Sequence, residues 1–557
     1  MEEVGIGNLG TRLYVRNGSV STMREIQLLD CTLRDGGYTN DWEFGYNNLI
    51  SIYERQTNAG VDIIEIGFLD DRRPFDRNRS IMPDTKSAQM IWKESSARPP
   101  MVLGMIDFGT CSIENIQPCS ESFLDGIRVI FKEHKMYEAM QFCADLKALG
   151  YKVFSQLVSI TSYSDEKLME LIGLVNEVEP YAVSIVDTYG LLYPDDMLHY
   201  FHILDKYVKS FIRIGFHAHN NLQLAYANSL AFLEQKTKHN LVIDGTLYGM
   251  GKSAGNAPIE LLAMWLNEKC GASYRISEML ESIEESIMDL YMQSSWGYKI
   301  PFYLSSRNKC HPNYVSYYKA KQSLSVSKID RILAMIEPED KKLLYDKLTA
   351  EQIYENYQRK NIQNDISKEH LKEELQNKKI VLVGPGKNIR LQGEKVKKYI
   401  EDNKPCVISV NYNPEEINVD YIFVTNSKRY HNIQIKGEKI IATSNVECRN
   451  GVFDFHVDRE PLLDQGAKIA DNSFLMLLQL LFSLEVRDVI CAGFDGYSEK
   501  EDNYFNPIME YGFVKREAQE LNRHMREVVL KFRENMKIEF LTYSAYDREE
   551  DMDSAAF

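Results

Sequence analysis

Through the first half of the chain, short apolar, β-branched runs alternate with amphipathic stretches, a pattern that predicts a repeated strand–helix unit. The runs are "EIQLLDCTL", "VDIIEIGFL", "PMVLGMIDF", "IRVIFK", "KVFSQLVSI", "AVSIVDTYG", "IRIGFHAHN" and "LVIDGTLYG". Stretches between them, such as "LISIYERQTNAG" and "MYEAMQFCADLKALG", carry apolar residues at helical spacing. They end in Gly, the residue that most readily closes a helix in the left-handed conformation. Eight such units over residues 25–267 predict a (β/α)8 barrel.

Buried parallel strands should read as unbroken Val, Ile and Leu. Several of these runs instead begin apolar and finish polar. Arg34 and Asp35 follow the first, Glu65 lies in the second, Asp107 in the third and Gln156 in the fifth. Asp187 and Thr188 close the sixth, His217 and His219 the seventh, Asp244 and Thr246 the eighth. In a barrel the carboxyl ends of the strands converge on one mouth, so this pattern predicts a site there. Arg34–Asp35 and His217/His219 should then meet with a single strand between them. Residues two apart on a strand share a face, so His217, His219 and Asp35 are candidate ligands for a divalent metal with coordination positions left open. Arg34 beside them would steady a developing enolate oxygen. After the second run, "DDRRPFDRNRS" sets Arg72, Arg73, Arg77 and Arg79 on a loop, where they can hold a carboxylate or phosphate or pair with the loop's own aspartates.

A charged helical pattern runs from about 325 to 378, and "QRKNIQNDISKEHLKEELQNKK" predicts an exposed helix or linker. New strand patterns follow at "KIVLVGPGKNI", "CVISVN", "DYIFVTN", "KIIATSN" and "DVICAGFDGY", with helices near 471–485 and 515–535, predicting a Rossmann-like three-layer α/β domain. "GPGKNI" lacks the third glycine of a dinucleotide fingerprint, and Asn411 stands where an acidic residue would bind ribose. Gly384, Gly386, Asn411, Asn426 and Asp495 fall at strand ends and are candidate ligand-binding positions. The expected division is an N-terminal extension (1–24), the barrel (25–270), a helical post-barrel extension (271–357), a linker (358–378), the Rossmann-like domain (379–546) and an acidic tail (547–557).

Composition narrows the function. With 81 acidic and 65 basic side chains the net charge is −16, which disfavours nucleic acid and anionic membranes as partners. The apolar run in "SFLMLLQLLFSL" falls short of the roughly 20 residues of a membrane span, and "MEEVGIGN" lacks signal-peptide character. A soluble, cytoplasmic protein that does not insert into membranes is expected. Nine cysteines without a CxxC pair indicate neither a disulfide framework nor a thiolate zinc site.

"LLDCTLRDGG", "GFHAHNNLQLAYANS" and "DGTLYGMGKSAGNAPIELL" resemble the signature segments of the superfamily that contains hydroxymethylglutaryl-CoA lyase, isopropylmalate synthase and the metal-dependent 4-hydroxy-2-oxovalerate aldolase, the last most closely. The resemblance covers about residues 25–320. It implies that Asp35, His217 and His219 bind Mn, Mg, Zn or Co, that Arg34 contacts the enolate and that Asn256 lies at or near the metal. It also implies an aldolase or carbon–carbon lyase working through a pyruvate-like 2-oxo-acid enolate, with an aldehyde or sugar-derived second substrate, in a homo-oligomer. At the mouth, Glu65, Gln156, Thr188 and Arg72 are candidate substrate contacts. In the aldolases a His soon after the Arg-Asp-Gly segment moves a proton; here Tyr38 stands nearby instead, with an ordinary pKa of about 10. The aromatic-rich "WGYKIPFYLSSRNKCHPNYVSYY" is similar to the segment that closes over the aldolase site, and its His311 is expected to be structural. The second half resembles glycosyltransferase-like, sialyltransferase-like domains associated with surface-polysaccharide biosynthesis. Two alternatives stay open: a Claisen-type acyl-CoA condensing enzyme, and a C-terminal catalyst with the barrel as scaffold.

Overall fold

The computed structural model describes residues 25–93, 95, 97–321, 324–337, 342–359, 364–448, 451–464, 469–499, 503–504 and 517–547. The N-terminal extension 1–24 and the acidic tail beyond Asp547 lie outside them. By internal contacts the chain divides into a unit ending at Pro312 and another beginning at Asn313.

In the first unit the strands are β1 (Ile26–Asp30), β2 (Ile63–Leu69), β3 (Met101–Asp107), β4 (Gly126–Phe131), β5 (Lys152–Leu157), β6 (Ala182–Asp187), β7 (Arg213–Ala218) and β8 (Leu241–Gly245). All eight apolar runs form strands. Neighbours pair in parallel, and β1 pairs both with β8 (Ile26 with Leu241) and with β2 (Leu29 with Ile63), which closes the barrel. A two-residue strand, Ile81–Met82, adds to β2. Leu29, Ile63, Leu103, Phe154 and Val242 pack together in one apolar cluster, and the larger cluster joins the strands to the surrounding helices. Burying residues from every strand in these clusters is what excludes water from the polar side chains nearer the carboxyl ends.

The second unit holds a seven-stranded parallel sheet: β9 (Ile380–Val383), β10 (Cys406–Val410), β11 (Tyr421–Val424), β12 (Lys439–Thr443), β13 (Phe455–Val457), β14 (Asp488–Ala492) and β15 (Lys537–Phe540), in the order β13-β12-β11-β10-β9-β14-β15. The order reverses between β9 and β14, the switch point of a doubly wound sheet. The leucine-rich helix Ser473–Ser483 is buried in its core. Among the described residues no helix is long and apolar enough to cross a membrane.

Two boundaries differ from expectation. The helical extension 271–357 is divided between the units, with Ile300–Arg307 on the barrel side and Lys347–Gln358 on the other. The segment 358–378, expected as a linker, contains the helix Asp365–Leu375, whose Leu371 and Leu375 are fully buried in the second core. Two leucines four apart in a charged stretch make a narrow apolar stripe, enough to dock a helix without altering the local composition.

Candidate active site

After β1 the chain turns helically through Thr32–Asp35 and continues in a tighter turn, Gly36–Thr39. This brings Arg34 and Asp35, both buried, over the end of the strand. Close packing explains the two glycines that follow. A Cβ on Gly37 would lie 2.0 Å from the Trp42 ring, and that ring's Nε1 donates to the Arg34 carbonyl at 2.7 Å. A Cβ on Gly36 would crowd Met250 Sδ at 2.9 Å.

His217 lies in β7 and His219 directly after its end, and β8 alone separates β7 from β1. Ligand atoms of Asp35, His217 and His219 lie within 4.8 Å of one another, all three residues buried. His217 Nδ1 is 3.0 Å from Asp244 Oδ2. A carboxylate accepts there, so Nδ1 carries the proton and Nε2 presents its lone pair to the cluster. Asn256 Nδ2 donates to Asp35 Oδ2.

The electrostatics favour a cation. Burial would raise the Asp35 carboxyl, but Arg34 and then the two histidines hold it well below the usual carboxylate range. Burial pushes His219 down to about 4, keeping it neutral at ordinary pH. His219 Nδ1 and Asn256 Oδ1 are buried without a hydrogen-bond partner among the described residues. A charged oxygen, two imidazoles and an orphaned amide oxygen fit a divalent ion. Cys31, His217 and Asp244 also converge, and burial raises the Cys31 thiol well above its usual value.

Beneath the cluster runs an alternating chain of buried charges. Arg34 donates to Asp35 and to Glu65, each at 2.7 Å. Arg128 donates to Glu65 at 3.1 Å, to Gln156 at 2.8 Å and to Asp244, which holds His217. Glu65 and Gln156, expected as substrate contacts, are fully buried and tied into this chain, so they position Arg34 and Arg128. Arg128 was not among the candidate site residues, and Asp244 stood among the polar strand ends without an assigned role. The signal was a lone arginine inside the apolar run "IRVIFK", since a buried charge requires partners. Arg34 Nη2 has no partner among the described residues and gives the guanidinium an open edge.

At the rim, Tyr38 is 40% exposed and packs edge-on against Trp42. Desolvation, with Asp35 adding to it, pushes its phenol above the ordinary value, away from use as a base. Lys252, also outside the expected set, lies with Nζ 5.4 Å from the Tyr38 ring centroid and 5.9 Å from that of Tyr189, its pKa lowered by burial. His311 packs edge-on against Tyr189 at 5.5 Å and is not part of the cluster. Thr188 Oγ1 accepts from the Ser159 amide, and Arg72 is exposed and paired with Asp70. Elsewhere on the arginine loop, Arg73 and Arg79 pair with Asp41, and Arg77 stacks on Tyr46.

In the second unit Gly384 and Gly386 donate their amides to Ala492 O and Gly493 O at 2.7 and 2.8 Å. A Cβ on Gly384 would lie 2.5 Å from Gly493 O, and one on Gly386 2.5 Å from Asp495 Cγ. The amides of these two glycines are thus used within the fold, and their lack of a side chain lets two loops pack backbone to backbone. Asn411, with φ 59°, bonds Thr425 and Ser473, and Asn426 caps the helix that follows it.

A parallel barrel with a buried carboxylate–imidazole–imidazole set and an arginine at its carboxyl ends can hold a divalent metal beside a cationic group at a mouth open to a small substrate. Residues 25–283 match the HMGL-like family model, and the N-terminal half is an HMGL-like domain, an enzyme of the lyase and aldolase class. It is similar to 4-hydroxy-2-oxovalerate aldolase 2 of Salinispora arenicola, 28% identical over 263 residues, 47% of this chain and 74% of the relative. The 4-hydroxy-2-oxovalerate aldolase of Thermomicrobium roseum is 26% identical over 249 residues, 45% of this chain and 68% of the relative. Among solved structures, the N-terminal domain of a candidate aldolase from Bacteroides vulgatus matches at 23% identity and TM-score 0.45, covering 55% of this chain and 99% of that one.

Proposed function

We propose that the barrel cleaves or forms the C3–C4 bond of a 4-hydroxy-2-oxo acid through a pyruvate-like enolate. The observation that carries this reading is Arg34, held by Glu65 and by Asp35, itself a member of the Asp35–His217–His219 cluster. In the cleavage direction a base takes the 4-hydroxyl proton, the C3–C4 electron pair moves to the C2 carbonyl oxygen and an aldehyde leaves. Protonation at C3 then yields the 2-oxo acid. Arg34 meets the oxygen where negative charge appears, and its partners fix it there in advance. Asp35, His217 and His219, with Asn256 adjoining, would hold the divalent ion, which when bound supplies Lewis acidity toward the oxo-acid. Two imidazoles favour Mn, Zn or Co over Mg. Tyr38, kept protonated, serves as a donor at the rim, and Lys252 is the group placed to exchange the hydroxyl proton. We assign the acceptor to small aldehydes, sugar-derived ones included, in surface-glycan or sugar-precursor synthesis.

Metal analysis and solvent-deuterium exchange into pyruvate test the reading together. The purified protein should contain one divalent ion per chain and exchange the C3 protons. His217→Ala and His219→Ala should lose both while the barrel stays folded by circular dichroism. Full metal content in either variant, or metal without exchange into any 2-oxo acid, would overturn it.

A further inference from the structure

The second unit carries a built cavity that the barrel chemistry does not use. A space of about 540 Å³ opens over the carboxyl ends of the seven-stranded sheet, lined by Gly386 after β9, Asn411 after β10, Asn426 after β11 and Asp495 after β14. It thus sits at the switch point between β9 and β14, where strand order reverses and the flanking loops part. Its volume is that of a small-molecule site, roughly 300–1,000 Å³. One wall is aromatic: Phe474 and Phe494 stack at 4.1 Å, and Tyr546 lies parallel to Phe474 at 6.2 Å. Carboxylates, among them Glu351, Glu355, Asp471 and Asp495, outnumber the cations Lys321, Arg429 and Arg459. Arg459 is itself neutralised, bonding Glu460 at 3.2 Å and Asp471 at 3.5 Å. Asp495 is the group left unsatisfied. Its Oδ2 accepts from the Asn388 amide at 2.7 Å, but its Oδ1 is buried without a partner among the described residues. A carboxylate oxygen in that condition asks for a hydroxyl or other neutral donor, and an aromatic face beside it suits a flat or ring-shaped body.

A second cavity, of about 660 Å³, adjoins the first, for Asn411 and Arg429 line both. Its character is opposite. Arg390, Arg429, Lys436 and Lys397 face Glu415 and Glu416, and Lys397 bonds Glu416 at 3.0 Å. Guanidinium and ammonium groups in a concave site take an anionic oxygen cluster. We propose that the two cavities form one site for a small ligand in which a polyhydroxylated ring is joined to a phosphate. The ring lies on the aromatic wall with its hydroxyls toward Asp495, and the phosphate reaches past Asn411 to Arg429, Arg390 and Lys436. Sugar phosphates and nucleotides share this chemistry. Phosphate recognition falls to these side chains, because the amides of the Gly384-Pro385-Gly386 turn are already spent.

The test uses the full chain, metal loaded, in calorimetric titrations. The probes are the four nucleoside 5′-monophosphates, glucose 1-phosphate, the corresponding nucleosides, glucose and inorganic phosphate. At least one phosphorylated ring should bind at least tenfold more tightly than its unphosphorylated counterpart and than inorganic phosphate; which one binds separates the nucleotide from the sugar-phosphate source. Arg429→Gln should weaken that probe about tenfold and leave the unphosphorylated ring unchanged. Asp495→Asn should weaken both. Because Asp495 also holds Asn388, Lys436→Gln gives a second phosphate-side variant that leaves the switch point intact. Absence of binding by every probe, binding of phosphate as tight as of any ring, or indifference to Arg429→Gln and Lys436→Gln would each overturn the proposal. Metal content and pyruvate exchange on the same samples report the barrel separately, so failure here is distinguishable from failure there.

Discussion

On the proposed mechanism, Arg34 is the group whose charge matters as the enolate forms and Lys252 the one whose proton matters. Arg34→Ala should lower kcat by roughly 10²–10³, the range for removing one preorganised donor, with metal retained. Lys252→Met should instead remove a limb from the pH–rate profile. Burial lowers the Lys252 pKa, so the neutral amine becomes available as pH rises toward a value below the ordinary lysine range, and kcat/KM of the native enzyme should rise over that span. A profile unchanged in Lys252→Met would reassign the proton, and a near-normal kcat in Arg34→Ala would make the arginine structural. Asp30 gives a stability counterpart. Burial raises its carboxyl to about 6, while Thr32 N bonds its Oδ1 at 2.9 Å. Its folded pKa thus exceeds the unfolded value of about 3.9, so its contribution is complete below that value and lost as pH rises through about 6. Asp30→Asn keeps the Thr32 contact and sheds the charge, so its melting temperature should exceed the native value at pH 8 and lose that advantage by pH 4. The convergence of Asp35, His217 and His219 was legible because a period of two fixes a shared face. Arg128 and Lys252 were not, because pairing across a barrel leaves no local trace beyond an isolated charge.

Among the elements, strand β2 shows how backbone geometry sets the site. Its register with β3 shifts between Glu65 and Phe68, at Gly67, whose φ of +145° is open to glycine. There the backbone comes so close to the short strand Ile81–Met82 that a Cβ would lie 1.8 Å from Ser80 O. Ser80 in turn bonds the Leu33 carbonyl at 2.6 Å, beside Arg34. Gly67→Ala should therefore cost roughly 3 kcal/mol, strain and overpacking together, read from the denaturation midpoint. It should also loosen metal binding, because Glu65 and Leu33 both move; an unchanged midpoint and metal affinity would show that the shift is incidental. All eight barrel strands were legible because buried parallel strands are long apolar runs. In the second sheet Phe455–Val457 and Lys537–Phe540 were not, the first being three residues long in "VFDFHVDRE" and the second an edge strand alternating charged and apolar residues.

For the whole molecule the question is where the chain can be cut. Sequence alone placed the boundary in the charged stretch 358–378, which suggests that a fragment starting near 376 is complete. The packing argues otherwise. Leu371 and Leu375 are buried in the second core, and each such side chain contributes about 1.5–3 kcal/mol by leaving water. Tyr317, Lys321, Glu351 and Tyr354 line the switch-point cavity, so the helices after Asn313 form part of its wall. A 313–557 fragment should therefore fold cooperatively and retain whatever ligand the full chain binds there. A 376–557 fragment should unfold at markedly lower denaturant and bind nothing, having lost core and wall together. The complementary fragment ending at Pro312 keeps Asp35, His217, His219 and the helix Ile300–Arg307, where Ser306 donates to the Tyr189 carbonyl at 3.2 Å at the mouth. It should hold its metal and exchange pyruvate protons at a rate within a few fold of the intact protein. Circular dichroism melts, metal analysis and exchange rates on the three fragments decide the matter. Equal stability of the two C-terminal fragments would return the boundary to 376, and a barrel fragment that keeps metal but loses exchange would show that the second unit completes the first.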